Sequence, residues 1–300
     1  MDIIKKLKKM KVKRIFIQYP EGLKLRILEI SKRIESEGIE TIICCEPTYG
    51  ACDLRDEEAK RLGCDLILHI GHSDFGIKSK ISVVYWDYFL DVDPLPILKK
   101  EVKKLKKFRK IGLVTSLQFV KTIEKVKEYL ENHGKEIYVN KSLKYLGQIL
   151  GCDVRAAKKI EDDVDCFLCI GAGKFYDLGL LIGTDKPIFS LDLEKGMIKD
   201  LNKLKRKTQK IIAWNKSCLK ESKRIGVLIS WKKGQFKSPL KLKKKLENEG
   251  KEVYILAMDE ITPEKIEGLK LECLICLACP RIGIDDLNRY KIPVINFGSI

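Results

Sequence analysis

The chain has 300 residues, 45% hydrophobic and 34% charged, with 59 Lys and Arg against 42 Asp and Glu and a net charge of +17. That length suits two or three domains, and that mix can bury cores, which excludes a disordered or collagen-like chain. No apolar stretch approaches the ~18 residues of a membrane span, and the basic start MDIIKKLKK leads into no small-residue cleavage site, so a cytoplasmic protein is expected.

Three similar units follow one another along the chain. The first begins at Lys13 with the apolar strand RIFIQY, continues through an amphipathic helix stopped at Gly38, and returns in the strand ETIICC. The loop PTYGACD, a near-continuous apolar strand CDLILHIGHS and a fourth strand ISVVYW complete it. A basic connector, 97–110, has Ile97, Val102, Leu105 and Phe108 at helical spacing. The second unit opens at Arg109 and repeats the order: strand, helix ending at Gly134, strand, the loop LGQILGCD, then DCFLCIGAG and KPIFSL. A second basic helix is expected over 199–224. The third unit opens at Lys223, with its helix ending at Gly250 and its later strands in ECLICLACP and IPVINF.

Glycine is expected just past a helix, where the chain turns through positive φ. Apolar runs of this kind suit parallel strands covered on both faces. Strand–helix alternation therefore predicts an α/β protein of three homologous small parallel-sheet domains, 1–95, 96–205 and 206–300. The expected packing is pseudo-threefold about a central cluster site, because open α/β sheets bind ligands beyond their strand carboxyl ends.

The charge is uneven. Segments 5–14, 97–110, 199–224 and 232–251 carry 33 basic and 5 acidic side chains. Their +28 against +17 overall leaves −11 on the rest of the chain. A solvated helix face or a docking surface for an acidic partner accounts for such stretches. No RNA-binding aromatic signature accompanies them, so direct nucleic-acid binding is not expected. The abundance of Lys, Glu and Ile, with five Gln, leans toward a thermophile.

Eleven cysteines, an odd number, argue against a disulfide framework in a reducing compartment. Cys44, Cys45, Cys64, Cys166, Cys169, Cys273 and Cys276 lie in or beside predicted strands and read as core thiols. Cys218, in a connector helix, has no evident role. Cys52, Cys152 and Cys279 sit differently, one per repeat, each near a strand end. Three thiolates form a soft donor set suited to a [4Fe–4S] cluster with one iron open. Three unconnected loop thiols are the alternative. The run Cys273-x-x-Cys276-x-x-Cys279-Pro280 lacks a ferredoxin's fourth cysteine, and along a strand residues 273 and 276 point to opposite faces.

Taken together, PTYGACD, GCDLILHIGHS, LGQILGCD, GVLISWKKGQ and CLACPRIGIDD resemble, in this order and across nearly the whole chain, the archaeal diphthamide-synthesis enzymes. One departure is Asp74 after GHS, where eukaryotic relatives tend to carry Cys. The resemblance implies a homodimer of three-domain subunits with a [4Fe–4S] cluster on Cys52, Cys152 and Cys279. It implies S-adenosylmethionine as co-substrate, cleaved to a 3-amino-3-carboxypropyl radical that adds to a histidine of translation elongation factor 2. An external electron donor would be required.

Such a site must hold the methionyl end of the co-substrate, and backbone N–H groups in glycine-bearing strand-end loops suit that task. The candidates are Gly71 with Ser73, Gly171 with Gly173, and Ser230 with Gln235. Tyr49 is a candidate site-lining ring, and His72 a candidate general base for the imidazole proton. Two rival readings stand beside this one: a quinolinate synthase-like enzyme using the open iron as a Lewis acid, and a non-enzymatic RNA-binding protein.

Overall fold

The computed structural model describes residues 3–299, and its strands form three sheets. The first sheet contains β1 (Arg14–Gln18), β2 (Glu40–Ile43), β3 (Leu66–Ile70) and β4 (Ser82–Trp86) in the order β2-β1-β3-β4. The second contains β5 (Lys110–Thr115), β6 (Glu136–Tyr138), β7 (Cys166–Gly171), β8 (Ile188–Asp192) and β9 (Met197–Asp200) in the order β6-β5-β7-β8-β9. The third contains β10 (Arg224–Ser230), β11 (Glu252–Met258), β12 (Cys273–Cys276) and β13 (Val294–Asn296) in the order β11-β10-β12-β13. Every neighbouring pair is parallel except β8 with β9. The α/β class and the repetition are therefore as expected.

Two compact units make up the chain. One runs to Phe89 and takes in Lys232–Gly234; the other comprises Leu90–Trp231 and the chain from Gln235 onward. The first sheet belongs to the first unit, and the second and third sheets to the second unit.

In each repeat the first strand leads to an amphipathic helix: Ile27–Glu35, Ile123–Glu131 and Leu240–Asn248. Each helix ends as expected, with Gly38, Gly134 and Gly250 at φ 78°, 73° and 80°. Nothing lies within 4 Å of where a Cβ would stand at any of the three, so it is backbone conformation, not crowding, that selects glycine there. The central strands β3, β7 and β12 are buried throughout, as their apolar runs foretold.

One polar device recurs in all three sheets. An acid just before the third strand accepts hydrogen bonds from the two backbone N–H groups that open the first strand. Asp65 takes those of Arg14 and Lys13, Asp165 those of Lys110 and Arg109, and Glu272 those of Lys223 and Arg224. Those N–H groups hold each carboxyl below its usual range.

The connectors differ in detail from expectation. The stretch 97–110 is an α-helix only over Leu95–Glu101, then a 3-10 turn over Val102–Leu105, before β5 begins. Strand β9 was not foreseen; it occupies the start of the expected basic helix, which begins only at Asn202 and runs to Glu221. A tight turn at Gly196 (φ 64°) folds β9 back on β8. Asp192 secures that turn by accepting the N–H groups of Glu194 and Lys195 and pairing with Lys199.

Candidate metal and cofactor site

All 11 cysteines are thiols rather than disulfide halves, and burial divides them. Cys44, Cys64, Cys166, Cys169, Cys273 and Cys276 are buried. Burial raises the pKa of each, to about 12 for Cys166, Cys273 and Cys276. These six pack in the apolar cores of the sheets, as expected for structural thiols. Cys45 departs from expectation: it lies two residues past β2 and is exposed. Cys52, Cys152 and Cys279 all reach the surface, Cys152 most fully.

Each of these three is placed by the carboxyl end of its own sheet. The Cys52 loop is braced by Gln18, the last residue of β1, which is fully buried. Its amide donates to the carbonyl of Asp53 at 2.8 Å and accepts the Arg55 N–H at 3.0 Å. The Cys152 loop follows Gln148, which bridges to Thr115 at the end of β5. There Gly151 lies against the Phe175 ring, where a Cβ would come within 2.6 Å. Cys279 follows β12 directly, and its carbonyl accepts from the Cys276 thiol and the Ile282 N–H.

Cys52 belongs to the first compact unit, and Cys152 and Cys279 to the second. Among the described residues, no three His, Cys, Asp or Glu side chains already stand grouped as a metal site. The fit to an iron–sulfur cluster therefore rests on donor chemistry: a solvent-reaching soft thiol in a strand-end loop of every sheet, with Cys45 a second exposed thiol beside the first sheet.

The other candidates fall at three strand ends. After β3, Gly71 turns at φ 79° and leads to His72, whose Nδ1 lies 3.1 Å from Nε2 of the buried His69. Burial lowers both imidazoles, His69 to about 3 with a contribution from His72, and His72 to about 4. His72 is thus neutral at physiological pH and a weak base. Ser73 is half-buried and Tyr49 exposed, with Lys232 Nζ 5.3 Å from the Tyr49 ring centroid. Gly171, the last residue of β7, and Gly173 just beyond it leave open space where side chains would stand. At the end of β10, the buried Ser230 hydroxyl donates to the Asp259 carbonyl at 2.9 Å, and Gln235 is half-buried.

One residue escaped the sequence reading. Arg281, two positions after Cys279, is 5% exposed. Its guanidinium lies over the Phe175 ring at 4.4 Å and donates to Asp285 through Nη2 at 2.6 Å. Its Nε and Nη1 are buried and have no partner among the described residues. Buried donors of this kind call for an acceptor, and a carboxylate matches the guanidinium fork. The only sequence signal was Arg281's place beside a proposed ligand in ACPRIGIDD.

Three sheets, parallel except where β8 meets β9, each with a cysteine in a strand-end loop, define a repeated α/β protein. Residues 19–299 match the diphthamide synthesis proteins, and the chain belongs to that family. It is 32% identical to the 2-(3-amino-3-carboxypropyl)histidine synthase of Pyrococcus horikoshii, over 98% of this chain and 86% of that one. It is 30% identical to the enzyme of the same name from Methanocaldococcus jannaschii, over 94% and 81%. Among solved structures it resembles Dph2 from Pyrococcus horikoshii with a 4Fe–4S cluster, with a TM-score of 0.87 over 98% of this chain and 87% of that one.

Proposed function

We propose that this chain carries out the first step of diphthamide biosynthesis. It transfers the 3-amino-3-carboxypropyl group of S-adenosylmethionine to a histidine of translation elongation factor 2. The observation that carries this reading is that every sheet has a solvent-reaching thiol in a strand-end loop, in a chain that matches a cluster-bearing relative almost end to end. Each sheet is taken as the core of a domain, 1–95, 96–205 and 206–300, in a pseudo-threefold arrangement. A homodimer, an external electron donor and a cytoplasmic location complete the reading. No described helix is long and apolar enough to cross a membrane.

Cys52, Cys152 and Cys279 would hold a [4Fe–4S] cluster as thiolates. When bound, the cluster supplies the single electron that separates the sulfur of S-adenosylmethionine from its γ-carbon, leaving methylthioadenosine. The protein's part is orientation. Arg281 has two donors without partners among the described residues to offer the methionyl carboxylate. The open backbone at Gly171 and Gly173 admits a polar ligand close to the end of β7, and Ser230 and Gln235 flank the end of β10. His72, neutral and hydrogen-bonded to His69, can accept the proton that the imidazole releases once the 3-amino-3-carboxypropyl radical has added, and the odd electron left on the ring would go back to the oxidised cluster.

The decisive experiment is anaerobic iron and sulfide counting on wild type and on the Ala variants of Cys52, Cys152 and Cys279, with Cys273→Ala and Cys276→Ala as controls. Loss of iron in the first three alone supports the ligand set; loss in the two controls alone overturns it. Reduced holoprotein incubated with S-adenosylmethionine and elongation factor 2 should release methylthioadenosine and add one 3-amino-3-carboxypropyl group to a histidine. Quinolinate formed from iminoaspartate instead would replace this function with the rival enzyme, and tight RNA binding by an iron-free protein would favour the non-enzymatic rival.

A further inference from the structure

Lys232-Lys233-Gly234 falls in sequence just past β10, between Ser230 and Gln235, yet it packs in the first compact unit, on the Cys52 loop. Lys232 Nζ donates to Asp53 Oδ2 at 2.6 Å, and neither side chain is more than 3% exposed. Gly234 donates its backbone N–H to the carbonyl of Cys52 at 2.9 Å. Lys233 Nζ reaches Asp56 at 2.6 Å. The approach admits only glycine: a Cβ at Gly234 would stand 2.6 Å from both Cα and Cβ of Cys52.

A loop as small and glycine-bearing as PTYGAC has many conformations open to it, whereas a thiolate bound to a fixed iron needs one. A buried ion pair adds little net stability, because desolvation offsets the Coulomb attraction. It does fix direction, since Lys232 and Asp53 must face each other. With Asp53 held on one side and the Cys52 carbonyl on the other, the backbone carrying the thiol cannot swing.

We propose that Lys232-Lys233-Gly234 is a positioning clasp for Cys52, which governs how firmly that thiolate holds the cluster rather than whether the chain folds. The inference rests on Cys52 being a ligand. Residues that orient metal ligands typically change metal affinity about 10- to 100-fold when altered.

The test compares reconstituted wild type with Gly234→Ala, the double variant Lys232→Met with Asp53→Asn, and Cys52→Ala. The readouts are iron per chain, the electron paramagnetic resonance spectrum of the reduced cluster, and the rate at which a chelator strips iron. Melting of the cluster-free proteins checks the fold. Gly234→Ala and the double variant should lose iron about 10-fold faster or more, with an altered spectrum, out of proportion to any fall in melting that the close contact at residue 234 causes. Should the double variant not fold, Gly234→Ala, which leaves the buried ion pair in place, decides on the same readouts. Wild-type stripping and spectrum in the clasp variants, with the cluster lost in Cys52→Ala, overturn the clasp alone. Wild-type iron in Cys52→Ala overturns the ligand reading and the clasp with it. Melting that falls in step with iron retention also overturns the clasp, because the segment then serves folding.

Discussion

At the scale of single residues, Arg281 and the paired histidines carry the sharpest expectations. If the guanidinium meets the methionyl carboxylate, Arg281→Lys forfeits the planar fork and part of a charge-assisted bond worth about 1.5–3 kcal/mol. The KM for S-adenosylmethionine should then rise about 10-fold or more, by the same energy, measured as methylthioadenosine release at varied co-substrate. An unchanged KM would remove Arg281 from the site. His69 and His72 bind protons more weakly folded than unfolded, since burial lowers both from the ordinary 6.5. The unfolded chain therefore takes up more protons below pH ~6.5, and stability falls from there toward pH ~4 as acid is added. Nuclear magnetic resonance should find both imidazoles neutral at pH ~5.5, and His69→Gln should flatten this part of the stability profile. Titration of both rings near 6.5 would contradict the buried pair. None of this was legible in GHS: His69 read as one residue of an apolar strand, and only the turn at Gly71 brings His72 back to it.

At the scale of elements, the repeats were legible because each rests on local physics. Apolar runs give the buried strands, spacing of three and four gives the helix faces, and positive φ gives the glycines. The acid that clamps the opening of each first strand was not legible, because it joins residues about 50 positions apart. These carboxyls sit below their usual range when folded, so their contribution is present at neutral pH and is lost as pH falls through the folded values. Replacing Asp65 and Asp165 with Asn and Glu272 with Gln keeps an acceptor oxygen but removes the titration. The variants should show urea midpoints close to wild type at pH ~7 and a shallower decline below pH ~4. A decline as steep as wild type would show that the clamps contribute nothing to acid sensitivity. Strand β9 was missed for a related reason: its residues MIKD resemble the basic helix that follows, and the turn that makes them a strand is held by Asp192.

At the scale of the whole molecule, the net +17 belongs to the connectors and helix faces. If these stretches dock a protein substrate, salt should screen the encounter over about a Debye length, ~8–10 Å at physiological ionic strength. Raising salt should then lower kcat/KM for elongation factor 2, mainly through KM, while cleavage of S-adenosylmethionine alone keeps its rate. Equal salt dependence of the two reactions would assign the charge to the surface alone.

The sequence by itself determined the α/β class, the repeat, the helix ends and the three cysteines worth testing, because each depends on neighbours within one strand–helix unit. The tertiary structure decided which thiols are buried and which reach solvent. It exposed Cys45 against expectation, left two donors of Arg281 without partners among the described residues, and laid Lys232–Gly234 on the Cys52 loop. Burial and long-range pairing are properties of the packed chain, and no local pattern of residue types encodes which distant segment will close over a given loop.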